Sequence, residues 1–119
     1  MQILVVDDQK RTRQSLRLLL NTLPLVAEIR EAENGKEALE RIEEKTPDLV
    51  VMDSRMPEMD GVQATRVIKQ NRPQIKVILL SMYPDYREPG LQAGADAFVS
   101  KGQPPEVLLE KIDEVLREN

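Results

Sequence analysis

Short apolar runs alternate along this chain with longer segments in which apolar residues recur at helical spacing. The runs at 3–6, 49–52 and 77–80 are continuously apolar and rich in β-branched residues. Such runs are typical of strands that are buried on both faces of a sheet. Two further strands are predicted: an edge strand at 26–32, where charged and apolar residues mix, and a short strand at 97–100.

Helical segments lie between the predicted strands, and several carry an apolar stripe that would cover one face of the sheet. The stripes consist of Leu16, Leu19, Leu20 and Leu23, then Ala38, Leu39 and Ile42, and finally Leu108, Ile112, Val115 and Leu116. Two polar residues and two prolines stand where helices should begin: Asn34 and Asp60 as N-caps, and Pro104 or Pro105 in the first turn of the last helix.

This alternation of strands and helices predicts one α/β domain over residues 1–119. With 119 residues, the chain is long enough to bury a core of its own. Right-handed crossovers then give a doubly wound, five-stranded parallel sheet with helices on both faces, in the flavodoxin-like order 2-1-3-4-5.

The fourth helical segment departs from the pattern. Pro89 and Gly90 stand together in it, and each disfavours a helix interior, since proline removes a backbone donor and glycine loosens the chain. We therefore expect this pair to break a continuous helix, leaving one that is short, shifted or mobile.

Composition narrows the chemistry that the domain can perform. The net charge of −4 and the pI near 5.0 argue against direct binding of nucleic acid. There is no cysteine and no histidine, so carboxylates, hydroxyls and ammonium groups are left to act. No apolar stretch reaches membrane-spanning length and the N-terminus does not resemble a signal peptide, which predicts a cytoplasmic protein without a membrane partner.

Polar side chains follow the predicted strands at their carboxyl ends. Asp7 and Asp8 follow the first strand, Asp53 the third, Ser81 the fourth and Lys101 the fifth. Taken singly, these residues would be read as a helix cap, a loop acid, a strand-end hydroxyl and a surface lysine. Because the carboxyl ends of parallel strands line the ligand crevice, however, the three aspartates and Lys101 should meet in one pocket. Three clustered carboxylates favour a hard divalent cation such as Mg²⁺, and hence phosphate chemistry.

Four segments carry a resemblance that covers essentially the whole chain: LVVDD, LVVMDSRMPEMDG, VILLS and GADAFVSK. Together they resemble the receiver domain of bacterial two-component response regulators. The segments LLSMY and GADAFVSK are most similar to receivers that precede helix-turn-helix DNA-binding domains. Since no such output domain is present among these residues, we expect an excised receiver rather than a stand-alone one.

The resemblance implies a role for each polar residue. Asp53 is the expected phosphoacceptor, whose carboxylate oxygen attacks a phosphoryl group. Asp8 is expected to bind Mg²⁺ directly and Asp7 largely through water, while Asp53 and the backbone carbonyl of Arg55 complete the protein ligands. Lys101 is expected to face the phosphoryl oxygens.

Two residues are expected to carry the conformational response. Ser81 would donate its hydroxyl to the phosphoryl group and draw its loop inward. Phe98 occupies the switch-aromatic position of the family and would rotate into the space that this movement leaves. A plain core aromatic is the alternative reading of Phe98.

The missing histidine implies the direction of transfer. The chain cannot phosphorylate itself from a phosphohistidine, so it must receive phosphoryl groups from a sensor histidine kinase or from a small donor such as acetyl phosphate. The expected role is therefore a phosphoacceptor switch, not an enzyme, that acts on an output domain or partner in transcriptional control. A homodimer formed on phosphorylation is left open.

The sequence departs from the family pattern after the lysine, where Gly102 replaces the common proline, so no cis peptide bond is expected there. Arg55 and Tyr83 lie two residues after Asp53 and Ser81, at positions that in the family influence loss of the phosphate. Both are bulky, which leads to the hypothesis of a slowly decaying phosphoryl group.

Three other readings compete. A haloacid-dehalogenase-like phosphatase also uses an aspartate nucleophile, but it needs a second acid where Arg55 stands. A flavodoxin-like cofactor carrier is disfavoured by an aromatic content of 3% and by the lack of a Ser/Thr/Gly-rich phosphate loop. The intact set of acids argues against an interaction domain that is never phosphorylated.

Overall fold

The computed structural model describes residues 1–118 and has a five-stranded parallel sheet in the order β2-β1-β3-β4-β5. The strands are β1 (Gln2–Val6), β2 (Glu28–Ala32), β3 (Leu49–Asp53), β4 (Lys76–Ser81) and β5 (Ala97–Ser100). The helices are α1 (Lys10–Leu20), α2 (Gly35–Glu44), α3 (Gly61–Asn71), α4 (Arg87–Gln92) and α5 (Pro105–Arg117), with a 3₁₀ turn at Pro84–Tyr86. The predicted flavodoxin-like sheet is confirmed.

The sheet divides the core into two apolar clusters. In β1, Leu4 and Val6 point to one cluster, while Ile3 and Val5 point to the other. Helices α2 and α3 cover the first face, and α1 and α5 cover the second. Burial on both sides explains why the central strands are continuously apolar instead of alternating.

Three details differ from the predicted pattern. Helix α1 ends at Leu20, so Leu23 lies beyond it, because Pro24 disfavours helical geometry in the preceding residue. Leu23 still packs against the cluster under α1 and α5. Strand β2 begins at Glu28, two residues later than expected. In α5, Leu116 remains 38% exposed because it lies at the margin of the buried stripe.

The fourth helix is short, as expected, but Pro89 and Gly90 do not interrupt it. Pro89 is the third residue of α4 and so falls in the first turn, where backbone N–H groups have no partner within a helix. Gly90 faces the sheet, where an added Cβ would lie 2.5 Å from Cδ1 of Leu79. The glycine therefore allows α4 to pack closely on β4.

Both predicted N-caps are present. The side chain of Asn34 accepts a 2.8 Å hydrogen bond from the backbone N–H of Glu37. Asp60 forms a capping box with Gln63, in which each side chain accepts from the other residue's backbone N–H. Pro105 is the first residue of α5, directly after Pro104.

Within residues 1–118, no helix combines the length and the apolar character that crossing a membrane requires.

Candidate functional site

Three carboxylates meet at the carboxyl end of the sheet. Strands β1 and β3 are neighbours with Val6 beside Met52, so the acids that follow these two residues come together. Carboxylate oxygens of Asp7, Asp8 and Asp53 lie within 4.8 Å of one another. Asp7 and Asp53 are buried, whereas Asp8 is exposed. Hard oxygen donors at this spacing fit a Mg²⁺ ion that keeps part of its water shell.

Lys101 completes the cluster from the end of β5. Its Nζ atom lies 2.9 Å from Oδ2 of Asp7 and 3.3 Å from Oδ1 of Asp53. Its backbone N–H donates a 2.9 Å hydrogen bond to the carbonyl of Ser81, which fixes the turn after β5 to the end of β4. The structure thus brings the ammonium group between the two buried acids.

The two oxygens of Asp7 are both engaged by protein groups. Oδ1 accepts a 2.9 Å hydrogen bond from the backbone N–H of Gln9, and Oδ2 accepts one from Lys101. Asp8 instead lines an open cleft of about 450 Å³. The expected roles of Asp8 as a direct metal ligand and of Asp7 as a ligand through water stay predictions.

Burial and charge shift the pKa values of two groups at this site. Burial raises the pKa of Asp53 above its ordinary value, and neighbouring Asp7 adds to the rise, although Lys101 opposes it. Burial works against the charge on Lys101, but the carboxylates of Asp7 and Asp53 together outweigh it and raise the pKa of the lysine. Lys101 therefore keeps its positive charge firmly, and added positive charge near Asp53 would stabilise the charged form of its carboxylate.

The cleft gives Asp53 access to solvent. The cleft is lined by the polar residues Asp8, Asp53 and Lys101 and also by Arg55 and Tyr83. The guanidinium carbon of Arg55 lies 4.8 Å from the centre of the Tyr83 ring, within the range of a cation–π contact. Arg55 is thus beside the acids, and the role of its backbone carbonyl as a metal ligand stays a prediction.

The turn after β3 is built to bring α3 against Asp53. A Cβ on Gly61 would lie 2.3 Å from the carbonyl oxygen of Asp53 and 2.8 Å from Cα of Ser54. The N–H of Gly61 donates a 2.8 Å hydrogen bond to the carbonyl of Ser54. Only glycine permits this approach, so Gly61 holds the backbone of the acid in place.

Ser81 and Phe98 lie where the sequence predicted them. Ser81 ends β4 and is buried, with its hydroxyl bonded to the backbone of Tyr83. Phe98 is half-buried on β5 beside Leu79 and packs against the cluster under α2 and α3. The switch roles of both residues remain predictions.

Sequence reasoning missed two residues that support the site. Arg13 is buried and donates to the backbone carbonyl of Asp7. Its spacing from Leu16 and Leu20 on the inner face of α1 could have revealed it, since an arginine in a buried stripe needs acceptors. Ser54 is fully buried, and its hydroxyl contacts that of Ser81. Nothing in the pattern distinguishes Ser54 from an ordinary loop serine.

Comparison with known proteins identifies the family. Residues 3–113 match the family model described as the response regulator receiver domain.

The chain belongs to the response regulator receiver domain family.

The receiver is 43% identical over 111 residues to the transcriptional regulatory protein YhcZ of Bacillus subtilis, a match that covers 92% of this chain and 52% of YhcZ. The chain thus spans about half the length of the curated relatives it matches. The transcriptional regulators among these relatives agree with the predicted similarity to receivers of DNA-binding regulators.

Solved structures support the same assignment. A LuxR-family response regulator from Aurantimonas sp. superposes with a TM-score of 0.92 at 32% identity, covering 97% of this receiver and 84% of that chain. The response regulator TrrA of Thermotoga maritima, solved in complex with Mg²⁺ and BeF, superposes with a TM-score of 0.87 at 36% identity. That match covers 96% of this receiver and 97% of TrrA.

Proposed function

We propose that this receiver domain is a switch that accepts a phosphoryl group on Asp53 in a Mg²⁺-dependent reaction. The observation that carries the proposal is the position of the Asp53 carboxylate, 3.3 Å from the Lys101 ammonium and open to the cleft that Asp8 lines. A nucleophilic carboxylate beside a fixed cation is what phosphoryl transfer needs, since the chemistry depends on positioning and charge neutralisation.

Each side chain of the site has a distinct role in the proposed phosphoryl transfer. An Asp53 oxygen forms a bond to phosphorus as the bond from phosphorus to the donor breaks, and the bonding electrons leave with the donor. Lys101 remains charged and faces the transferred phosphoryl oxygens. A bound Mg²⁺, held by Asp8, Asp53 and the Arg55 carbonyl, and by Asp7 through water, would neutralise further charge on those oxygens.

The donor must come from outside this chain. The sequence contains no histidine, so we propose a sensor histidine kinase as the physiological partner and acetyl phosphate as a small substitute. Because the group is returned to water and no other substrate is turned over, the receiver is a phosphoacceptor and not an enzyme in the usual sense.

The proposed output of the switch is based on the family and on the transcriptional regulators among its members. We propose that phosphorylation changes the Ser81 loop and the packing of Phe98, and that this change controls a transcriptional output domain or a homodimer. The net charge of −4 gives this chain no electrostatic means of binding DNA itself. We place its action in the cytoplasm, where a bacterial transcription regulator meets its DNA.

A phosphatase of the haloacid-dehalogenase type is the second candidate. It shares the aspartate, the lysine and the metal, but its general acid would have to occupy position 55. Arg55 fills that position and contacts the Tyr83 ring, so no proton donor of the required kind stands there. Steady hydrolysis of a phosphate ester by the purified chain would favour this candidate.

The decisive experiment is the intact mass of the protein after incubation with acetyl phosphate and Mg²⁺. We expect one phosphate adduct in the wild type, none in Asp53→Asn, and none when EDTA is present. An adduct that persists in Asp53→Asn would move the acceptor to another residue. Adduct formation in EDTA would contradict the role of the three acids as a metal site.

A further inference from the structure

A buried hydroxyl pair connects the two strand ends that carry the proposed chemistry. Ser54, the residue after Asp53, donates a hydrogen bond from its Oγ atom to Oγ of Ser81. The two side chains are 0% and 1% exposed. In the described part of the chain, this is the hydrogen bond that satisfies the Ser54 hydroxyl.

Ser81 is fully engaged in this arrangement. Its Oγ atom accepts from Ser54 and from the backbone N–H of Tyr83, at 2.9 Å, and it donates to the carbonyl of Tyr83 at 3.2 Å. A hydroxyl has one proton and two lone pairs, so no further donor capacity is left. Ser81 can therefore donate to a new acceptor only by giving up its hydrogen bond to the Tyr83 carbonyl.

We propose that Ser54 is a positioning residue that holds Ser81 in the resting arrangement and so sets how easily the receiver is activated. The inference rests on the proposed function, in which Ser81 donates to the phosphoryl group on Asp53. When Ser81 moves to that group, the Ser54 hydroxyl loses its partner inside a buried site. An unpaired buried hydroxyl is unfavourable, so Ser54 weights the equilibrium toward the resting state.

The same contact extends to the loop at Tyr83, a residue that lines the cleft. Because Ser81 is bonded to both backbone groups of Tyr83, the Ser54–Ser81 pair also fixes the loop that carries the Tyr83 ring. That ring contacts the guanidinium of Arg55, and both side chains line the cleft. Release of Ser81 would thus loosen the resting position of this aromatic side chain in the cleft lining.

Removing the Ser54 hydroxyl should favour the active state. In Ser54→Ala there is no hydroxyl at position 54 to be left unpaired when Ser81 moves. An analogue of the phosphoryl group should therefore bind more tightly to this variant. One neutral hydrogen bond corresponds to roughly a three- to tenfold change in affinity. A residue that only filled space would show a loss of stability without this gain.

The test is a titration of the full chain with beryllium fluoride in the presence of Mg²⁺, followed by the amide NMR spectrum. We expect the apparent Kd to fall about three- to tenfold in Ser54→Ala and in Ser54→Gly, which both lack the hydroxyl. Ser54→Thr keeps the hydroxyl and should return the wild-type value. Spectra without ligand verify that each variant is folded.

A double substitution distinguishes positioning from packing. If Ser54 acts through Ser81, the Ser54→Ala change should have no effect on binding in a Ser81→Ala background. An equal gain in that background, or an unchanged or raised Kd in both hydroxyl-free variants, would overturn the proposal.

The outcome remains distinct from that of the proposed function. If the wild type forms no Mg²⁺-dependent adduct and binds no beryllium fluoride, while a known receiver does so in parallel, the proposed function fails and this inference falls with it. If the wild type binds and the Ser54 variants match it, only the role of Ser54 is overturned.

Discussion

The guanidinium of Arg13 donates a 2.8 Å hydrogen bond to the backbone carbonyl of Asp7, one of the three clustered acids. The same side chain donates to Glu31 on β2 at 2.9 Å, and Glu31 is bonded in turn by Arg17. Two arginines outweigh the effect of burial and lower the pKa of Glu31. The first helix and the edge strand thus fix the backbone that presents Asp7 and Asp8.

Arg13→Met should therefore destabilise the fold. The substitution keeps an apolar stem of similar length but leaves the Asp7 carbonyl and one oxygen of Glu31 without their donor. The Asp7 carbonyl is the buried acceptor of the two, and leaving such a group unpaired costs about 1–3 kcal/mol, so we expect a loss of that size in urea unfolding. Arg11→Met, on the exposed side of the same helix, is the control. Equal stability of both variants would show that the Arg13 network adds nothing.

Asp53→Asn should make the metal-free protein more stable at neutral pH. Burial raises the pKa of Asp53, so the folded state holds this proton more tightly than the unfolded chain does. The contribution of Asp53 to stability is thus complete below its ordinary pKa of 3.8 and is lost as the pH rises through the folded-state value.

At pH 7 in EDTA, we expect the free energy of unfolding of Asp53→Asn to exceed that of the wild type by about 1 kcal/mol. This difference in stability should become smaller toward pH 4. Urea unfolding at both pH values measures this, with the exposed Glu40→Gln as control. Added Mg²⁺ should stabilise the wild type and have little effect on the variant. A variant less stable than the wild type at pH 7 would mean that the Lys101 ion pair outweighs the cost of burial.

Gly61→Ala should damage both the fold and the transfer reaction. The new Cβ would lie 2.3 Å from the Asp53 carbonyl, so the turn must shift and carry Asp53 with it. Overpacking of this kind costs about 1–3 kcal/mol, and we expect phosphorylation by acetyl phosphate to slow as well. In Gly102→Ala the Cβ meets only Oγ of Ser100, at 3.7 Å, which makes it a matched glycine control. Equal rates in the two variants would count against a positioning role for Gly61.

The Arg55–Tyr83 contact should prolong the life of the phosphoryl group. The two side chains contact each other and line the cleft that contains Asp53, so they should hinder the approach of water to it. We expect phosphoryl loss to be severalfold faster in the Arg55→Ala, Tyr83→Ala double variant, followed by intact mass over time. Arg87→Ala, exposed on α4, is the control. A lifetime unchanged in the double variant would mean that the stack does not shield the site.

The sequence by itself determined the sheet and the location of its chemistry. The continuous apolar runs fixed the buried strands, since only a sheet covered on both faces requires them. The order of elements then placed Asp7, Asp8, Asp53, Ser81 and Lys101 at one edge, because parallel strands all end on the same side. Capping residues with a local mechanism, such as Asn34 and Asp60, were equally predictable.

Only the tertiary structure decided how those residues are held. From the sequence, the Pro89–Gly90 pair predicts a break in the fourth helix. In the structure, a Cβ added to Gly90 would lie 2.5 Å from the Leu79 side chain on β4, so the glycine has a packing role. The Arg13 and Ser54 contacts join residues that are 6 and 27 positions apart, across elements whose register the local pattern does not set. Such contacts depend on how helices and loops pack against the sheet, and that packing emerges only when the whole domain closes around its core.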